Sequence, residues 1–209
     1  MPSEPTVFVV DDDPAVRDSL RWLLQSVDLA VETFATGEEF LRAYDPARPG
    51  CLVLDVRMPG MSGLRLQDEL AAHGITLPII ILTGYAEVQT AVRAMKTGAF
   101  DFIEKPYSDE QLLDRIHHAI ETDRRGREAD GLRAEVAARF ALLTPREREV
   151  MELVTAGKAN KVIAAELGLS PKTVEVHRAA VMDKMGADSV AKLVRLELLL
   201  RPDKGTPAV

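Results

Sequence analysis

The chain has 209 residues, a net charge of -7, 46% hydrophobic residues and only 5% aromatic ones. That length suits one large domain or two small ones, and aliphatic-rich, aromatic-poor composition suits helices packed on a small sheet. No run approaches the ~18 apolar residues of a membrane helix, Met1-Pro2-Ser3-Glu4 lacks the basic-then-apolar pattern of a signal peptide, and the single Cys51 cannot form an internal disulfide. A cytoplasmic protein with no membrane partner is expected. Cys51 lies in the run Cys51-Leu52-Val53-Leu54 and reads as a small buried hydrophobe. The charge is unevenly spread: residues 1–140 carry 15 Lys and Arg against 24 Asp and Glu, while residues 141–209 carry 11 against 9. The acidic total therefore hides a mildly basic C-terminal part, a hint of two jobs in one chain.

In chain order, apolar runs at Thr6–Val10, Ala30–Phe34, Cys51–Leu54, Pro78–Leu82 and Phe100–Ile103 read as strands. Helical patterns fall near Ala15–Val27, Glu38–Tyr44, Leu64–Ala72, Val88–Lys96 and Asp109–Thr122. Five strands alternating with five helices predict an α/β, doubly wound parallel sheet covered on both faces. Asp13-Pro14 offers an N-cap followed by Pro at the first helical position, and Ser108-Asp109-Glu110-Gln111 matches a capping box. Residues 123–141 are charge-rich, with Leu132, Val136 and Phe140 at helical spacing, and predict an exposed, partly helical linker. Four helices are then expected: from Thr144-Pro145 to Gly157, Asn160–Leu167, Pro171–Met185 and Asp188–Leu200, with residues 201–209 as a disordered tail. Lys158 follows Gly157, but position 152 is Glu where a phosphate loop needs its earlier Gly, so nucleotide binding of that kind is rejected.

In a doubly wound sheet, ligands gather at the carboxyl ends of the strands. There the sequence places Asp11-Asp12-Asp13 after the first strand, Asp55 after the third, Thr83 after the fourth and Lys105-Pro106 after the fifth. Clustered carboxylates repel one another and call for a cation. An oxygen-lined site with open positions suits Mg²⁺ or Mn²⁺ held by one or two carboxylates and a phosphate. A carboxylate can attack phosphorus to give an acyl phosphate, with lysine offsetting charge on the transferring group. Taken singly, these residues have plainer readings: Asp13 as a helix cap, Thr83 and Lys105 as ordinary strand-end residues. Their conjunction carries the argument.

These motifs, with Asp55-Val56-Arg57-Met58-Pro59-Gly60-Met61-Ser62-Gly63 and Thr83-Gly84, make residues 6–122 resemble the receiver domain of two-component response regulators. The resemblance implies strand order 2-1-3-4-5 and phosphoryl transfer from a cognate histidine kinase to Asp55. It assigns Mg²⁺ to Asp11, Asp12, Asp55 and the main-chain carbonyl of Arg57, phosphate contact to Lys105, and a cis peptide before Pro106. Thr83 and Phe102 become a switch pair, although Phe102 also reads as a core residue of the fifth strand. The face from Val88 to Ile103 becomes a surface for phosphorylation-dependent homodimers, with Val92, Lys96 and Asp101 as candidates.

Farther on, Asn160–Leu167, Gly168-Leu169-Ser170 and Pro171–Met185 spell helix, short glycine-containing turn, helix. That is helix-turn-helix grammar, shared with many small bundles. Lys172, His177, Arg178 and Lys184 are candidate phosphate contacts, and Glu175 either accepts from a cytosine amino group or turns away from DNA. Residues 142–200 resemble the LuxR/NarL-type four-helix DNA-binding domain, carried by Leu143-Thr144-Pro145-Arg146-Glu147, Asn160-Lys161-Val162-Ile163-Ala164 and Ser170–His177. The resemblance adds Asn160, Lys161, Thr173 and Val176 to the DNA-facing set and gives Leu193 and Leu196 a dimer role. The pairing of a receiver (1–122) with this output resembles the FixJ-type regulators. It implies a transcriptional regulator rather than an enzyme, with promoter DNA and RNA polymerase as partners. A phosphatase using aspartyl phosphate expects a second Asp where Arg57 stands. A constitutive DNA binder with a degenerate receiver, or a C-terminal bundle that binds protein, remain the other readings.

Overall fold

The computed structural model describes residues 4–84 and 88–201. The N-terminal part alternates β1 (Thr6–Val10), α1 (Pro14–Ser26), β2 (Ala30–Phe34), α2 (Gly37–Ala43), β3 (Gly50–Asp55), α3 (Gly63–Ala72), β4 (Ile79–Thr83), α4 (Val88–Lys96) and β5 (Asp101–Glu104), and then α5 (Asp109–Ala141) begins. All strand pairs are parallel and the order is β2-β1-β3-β4-β5, as the resemblance implied. Every residue of β1, β3 and β4 is buried, which is why they read as unbroken apolar runs. Alternation splits them between two cores. Phe8, Val10, Leu52, Leu54, Ile79 and Ile81 face a cluster with Phe40, Leu66 and Leu70. Val7, Val9, Cys51, Val53, Ile80 and Leu82 face one with Leu20, Leu24, Leu112 and Ile116. Cys51 is fully buried, and burial pushes its thiol pKa far up, so its role is packing.

Residues 123–141, expected to be partly helical, are helical throughout. The helix begun at Asp109 runs unbroken to Ala141, and its two parts belong to different units, Met1–Arg127 and Glu128–Val209. Asp123 is buried; it accepts from the Gly50 N–H at 2.9 Å and from Arg127 Nε at 2.8 Å. Arg127 also donates to the carbonyls of Pro46 and Arg48 at 2.9 and 2.8 Å, so α5 through residue 127 is clasped to the start of β3. Val136 is 1% exposed and sits in the C-terminal core with Phe140 against it, while Arg139 donates to the Met185 carbonyl at 3.1 Å.

The second unit adds α6 (Pro145–Thr155), α7 (Asn160–Leu167), α8 (Pro171–Met185) and α9 (Val190–Leu200). Thr144 and Glu147 form a full capping box on α6. Gly168 closes α7 at φ 65°, a left-handed conformation that Gly adopts without a Cβ penalty, and Ser170 caps α8 by accepting from the Thr173 N–H. Glu147 does a second job. Lys184 Nζ lies 2.9 and 2.6 Å from its two carboxylate oxygens, joining α6 to α8. This lysine, with the Thr144 N–H, holds the Glu147 carboxyl below the usual carboxylate range. A lowered folded-state pKa stabilises the fold above the unfolded value and loses that contribution as pH falls through the folded one. Thermal melts from pH 7 to pH 3 are therefore expected to fall more steeply for wild type than for Glu147→Gln, which keeps the cap and removes the charge. Parallel curves would show that the pair contributes nothing to folding.

Candidate phosphoacceptor pocket and DNA-reading helix

β1, β3, β4 and β5 end on one edge of the sheet, and the predicted residues meet there. Asp55 is the last residue of β3, 8% exposed. One of its oxygens, Oδ1, is 2.6 Å from Lys105 Nζ, and the other, Oδ2, accepts from the Arg57 N–H at 2.7 Å. Asp11 is 2% exposed; its Oδ2 lies 3.2 Å from the same ammonium, and its Oδ1 accepts from the Asp13 N–H at 2.9 Å. Burial raises the Asp11 pKa against the opposing pull of Asp13 and Lys105. Burial alone would lower Lys105, but the Asp55 hydrogen bond and the charges of Asp55 and Asp11 together outweigh it, and its pKa is raised. Asp12 is exposed at the rim. Asp13 accepts from the Ala15 N–H at 2.8 Å, the plain helix cap. Thr83 is buried and its hydroxyl donates weakly to the Gly84 carbonyl at 3.2 Å. The Lys105–Pro106 peptide is cis. The Arg57 N–H on Asp55 was missed in the sequence, although an Asp accepting from the amide two residues on is a common local motif.

Phe102 is 42% exposed on edge strand β5, so its reading as a core residue is corrected. Val92 and Met95 are exposed as well, at 47% and 43%, and Lys96 is exposed. Asp101 pairs at 3.1 Å with Arg115 of its own chain.

In the second unit Lys161, Lys172, Glu175 and Val176 are exposed, and Thr173 and His177 are half-buried. Three expectations change. Lys184 is committed to Glu147 and is no free phosphate contact. Asn160 and Arg178 hydrogen-bond each other at 2.9 Å, bracing α7 against α8. Leu193 is fully buried and Leu196 9% exposed within their own domain's core; the large apolar side chain that α9 leaves exposed is Leu198, at 54%.

Comparison with known proteins agrees with this geometry. The sequence profile of the response regulator receiver domain matches residues 7–117, and that of bacterial regulatory proteins of the LuxR family matches residues 141–196. This chain belongs to the response regulators. The transcriptional regulatory protein FixJ of Azorhizobium caulinodans is 48% identical to this response regulator over 200 residues, covering 95% of this chain and 94% of that one. Nodulation protein W of Bradyrhizobium diazoefficiens is 49% identical over 190 residues, 91% and 84% of the two chains. The solved structure of the response regulator StyR superposes with a TM-score of 0.86 at 44% identity, covering 94% of this chain and 99% of that one. Receiver and LuxR-type output thus make this response regulator a phosphorylation-dependent regulator of transcription, with a histidine kinase and DNA as partners. Among the described residues no helix is long and apolar enough to cross a membrane.

Proposed function

We propose that Asp55 is the phosphoacceptor. The observation that carries this is the Lys105 ammonium lodged between Asp55 and Asp11 at the edge where the strands end. An Asp55 oxygen attacks the phosphorus of a phosphohistidine; the new O–P bond forms as the N–P bond breaks, and the leaving imidazole takes up a proton. Lys105 offsets charge on the transferring oxygens, and the Arg57 N–H holds the second carboxylate oxygen in place. Thr83 exchanges its weak bond to Gly84 for one to the phosphoryl group, and the exposed Phe102 ring follows it as the partner of the switch.

Two buried carboxylates, Asp11 and Asp55, share a single ammonium, and Asp12 stands exposed at the rim, so the charge and the hard-oxygen chemistry of the pocket fit a divalent cation. Among the described residues no three of these side chains stand close enough together to form a ready-made metal site. Asp11, Asp12, Asp55 and the Arg57 carbonyl would hold Mg²⁺ or Mn²⁺, which supplies charge neutralisation at the phosphoryl oxygens. The receiver consumes no external substrate beyond its phosphodonor and is no turnover enzyme. Phosphorylation adds ~2 negative charges and favours a homodimer through the face carrying Val92, Met95 and Phe102. Lys161 and Lys172 contact DNA phosphates, RNA polymerase is a downstream partner, and the protein acts in the cytoplasm.

Intact mass and light scattering test this together. With Mg²⁺ and acetyl phosphate, wild type is expected to gain one phosphoryl group and double its mass in solution; Asp55→Asn is expected to do neither. An adduct without dimers would leave Asp55 in place and overturn the dimer step, and no adduct would overturn the phosphoacceptor.

A further inference from the structure

The exposed face of α8 carries an inference that rests on the reading of α8 as the DNA-contacting helix. Lys172, Glu175, Val176, Ala179 and Asp183 are its exposed positions after Pro171, all within one helical face, while Val174, Val181 and Met185 are buried. Residues 172 to 179 cover about 10 Å of helix, the rise of about three base pairs. In a helix-turn-helix the N-terminal part of the recognition helix meets the base edges. The chemistry of that part is unusual. It presents no Arg, Asn or Gln, and of the side chains that grip purines with two hydrogen bonds it carries only Lys172, at its N-terminal edge; Arg178 is turned to Asn160. Lys172, in the first turn of α8, is assigned above to a backbone phosphate. What remains at the centre is one carboxylate and two hydrocarbon surfaces. Val176 is 63% exposed, and Glu175 forms no ion pair among the described residues.

We propose that α8 reads pyrimidines. Glu175 accepts a hydrogen bond from the exocyclic amine of a cytosine, the only base-edge group in the major groove besides that of adenine that donates to a carboxylate, and the one a lone acceptor matches without an unmet N7 beside it. Val176 and Ala179, one turn apart, pack on the 5-methyl groups of neighbouring thymines. The carboxylate also acts against wrong sequences: opposite a guanine edge, which offers only acceptors, it meets like charge and has no donor. The half-site is accordingly one in which a single strand presents cytosine beside thymine to the middle of α8.

The experiment uses the full chain with Mg²⁺ and beryllofluoride. Duplexes selected from a random pool give the half-site, and each thymine in it is then replaced by deoxyuridine, which removes only the methyl group. The replacement at the Val176 position is expected to weaken wild-type binding about fourfold, the worth of one buried methyl, and to have no effect on Val176→Ala. Glu175→Gln is expected to move the preference at one position from C to A by roughly tenfold, since glutamine pairs with adenine. Both substitutions are at exposed positions, and circular dichroism checks their folding. Selective binding in which no thymine responds to deoxyuridine, or in which Glu175→Gln keeps the wild-type preference, overturns pyrimidine reading and leaves α8 as the contact helix. Binding with neither sequence selectivity nor salt dependence overturns the DNA reading of α8 itself.

Discussion

Lys105→Ala is expected to slow phosphoryl uptake by Asp55 roughly 10²- to 10³-fold, the cost of losing one charge-stabilising group at a transferring centre. Two effects oppose each other. The ammonium lies 2.6 Å from Asp55 Oδ1, so removing it uncovers a nucleophilic oxygen. It is a partly exposed side chain, however, 29% accessible, and such a pair is worth only about 1 kcal/mol, or less than tenfold in rate. The phosphoryl oxygens that carry the charge during transfer come to lie beside this ammonium as phosphorus closes on the Asp55 carboxylate, so the loss in the transition state wins. Lys105→Arg is expected to recover part of the rate, because the charge persists but a planar fork does not fit between Asp11 and Asp55 as a compact ammonium does. The check is the time course of the mass adduct from acetyl phosphate at saturating Mg²⁺. A wild-type rate in Lys105→Ala would reduce the lysine to a structural tie between β1 and β3.

The pocket was legible because chemistry sits where strands stop. Asp11, Asp55 and Thr83 each follow or end an apolar run, and runs buried on both faces are strong signals; Lys105 follows the shorter edge strand β5. What the sequence concealed depends on partners distant in the chain. Residues 123–141 look like a solvated linker because few of them are apolar, yet the helix persists. Local pairs such as Arg125–Glu121 and Arg139–Glu135 brace it, and Asp123 finds its partner 73 residues away at Gly50. Lys184 shows the same limit. A lysine late in a recognition helix suits a phosphate as well as it suits Glu147, and only the crossing of α6 and α8 decides. Leu193 and Leu196 share a leucine stripe with the rest of α9, and the stripe does not say which leucines face the domain's own core and which are left to a partner.

Gly63→Ala tests how Asp55 is held. A Cβ at Gly63 would stand 2.2 Å from the Asp55 carbonyl oxygen and 3.1 Å from the Leu54 side chain. The contact is backbone rather than the end of a flexible side chain, so the first turn of α3 and the last residue of β3 must move apart. That turn is fixed on both sides: Ser62 caps it through the Arg65 N–H, and the Gly63 N–H donates to the Val56 carbonyl at 3.1 Å. Overpacking of this kind costs about 1–3 kcal/mol. The displaced atoms belong to the nucleophile's own residue, and a misplacement of about 1 Å at a reacting group costs on the order of 10²-fold in rate. Gly63→Ala is therefore expected to lower the denaturation midpoint and slow the adduct together. Gly126 supplies the contrast. It lies within helix α5, and a methyl group added there would meet nothing within 4 Å, so Gly126→Ala is expected to stabilise by about 0.5–1 kcal/mol at an unchanged adduct rate. If Gly63→Ala keeps both the midpoint and the rate, then β3 and α3 part freely, and Lys105 and the Arg57 N–H alone position Asp55. If it keeps the rate but loses stability, the close approach serves the fold and leaves the chemistry to those two contacts.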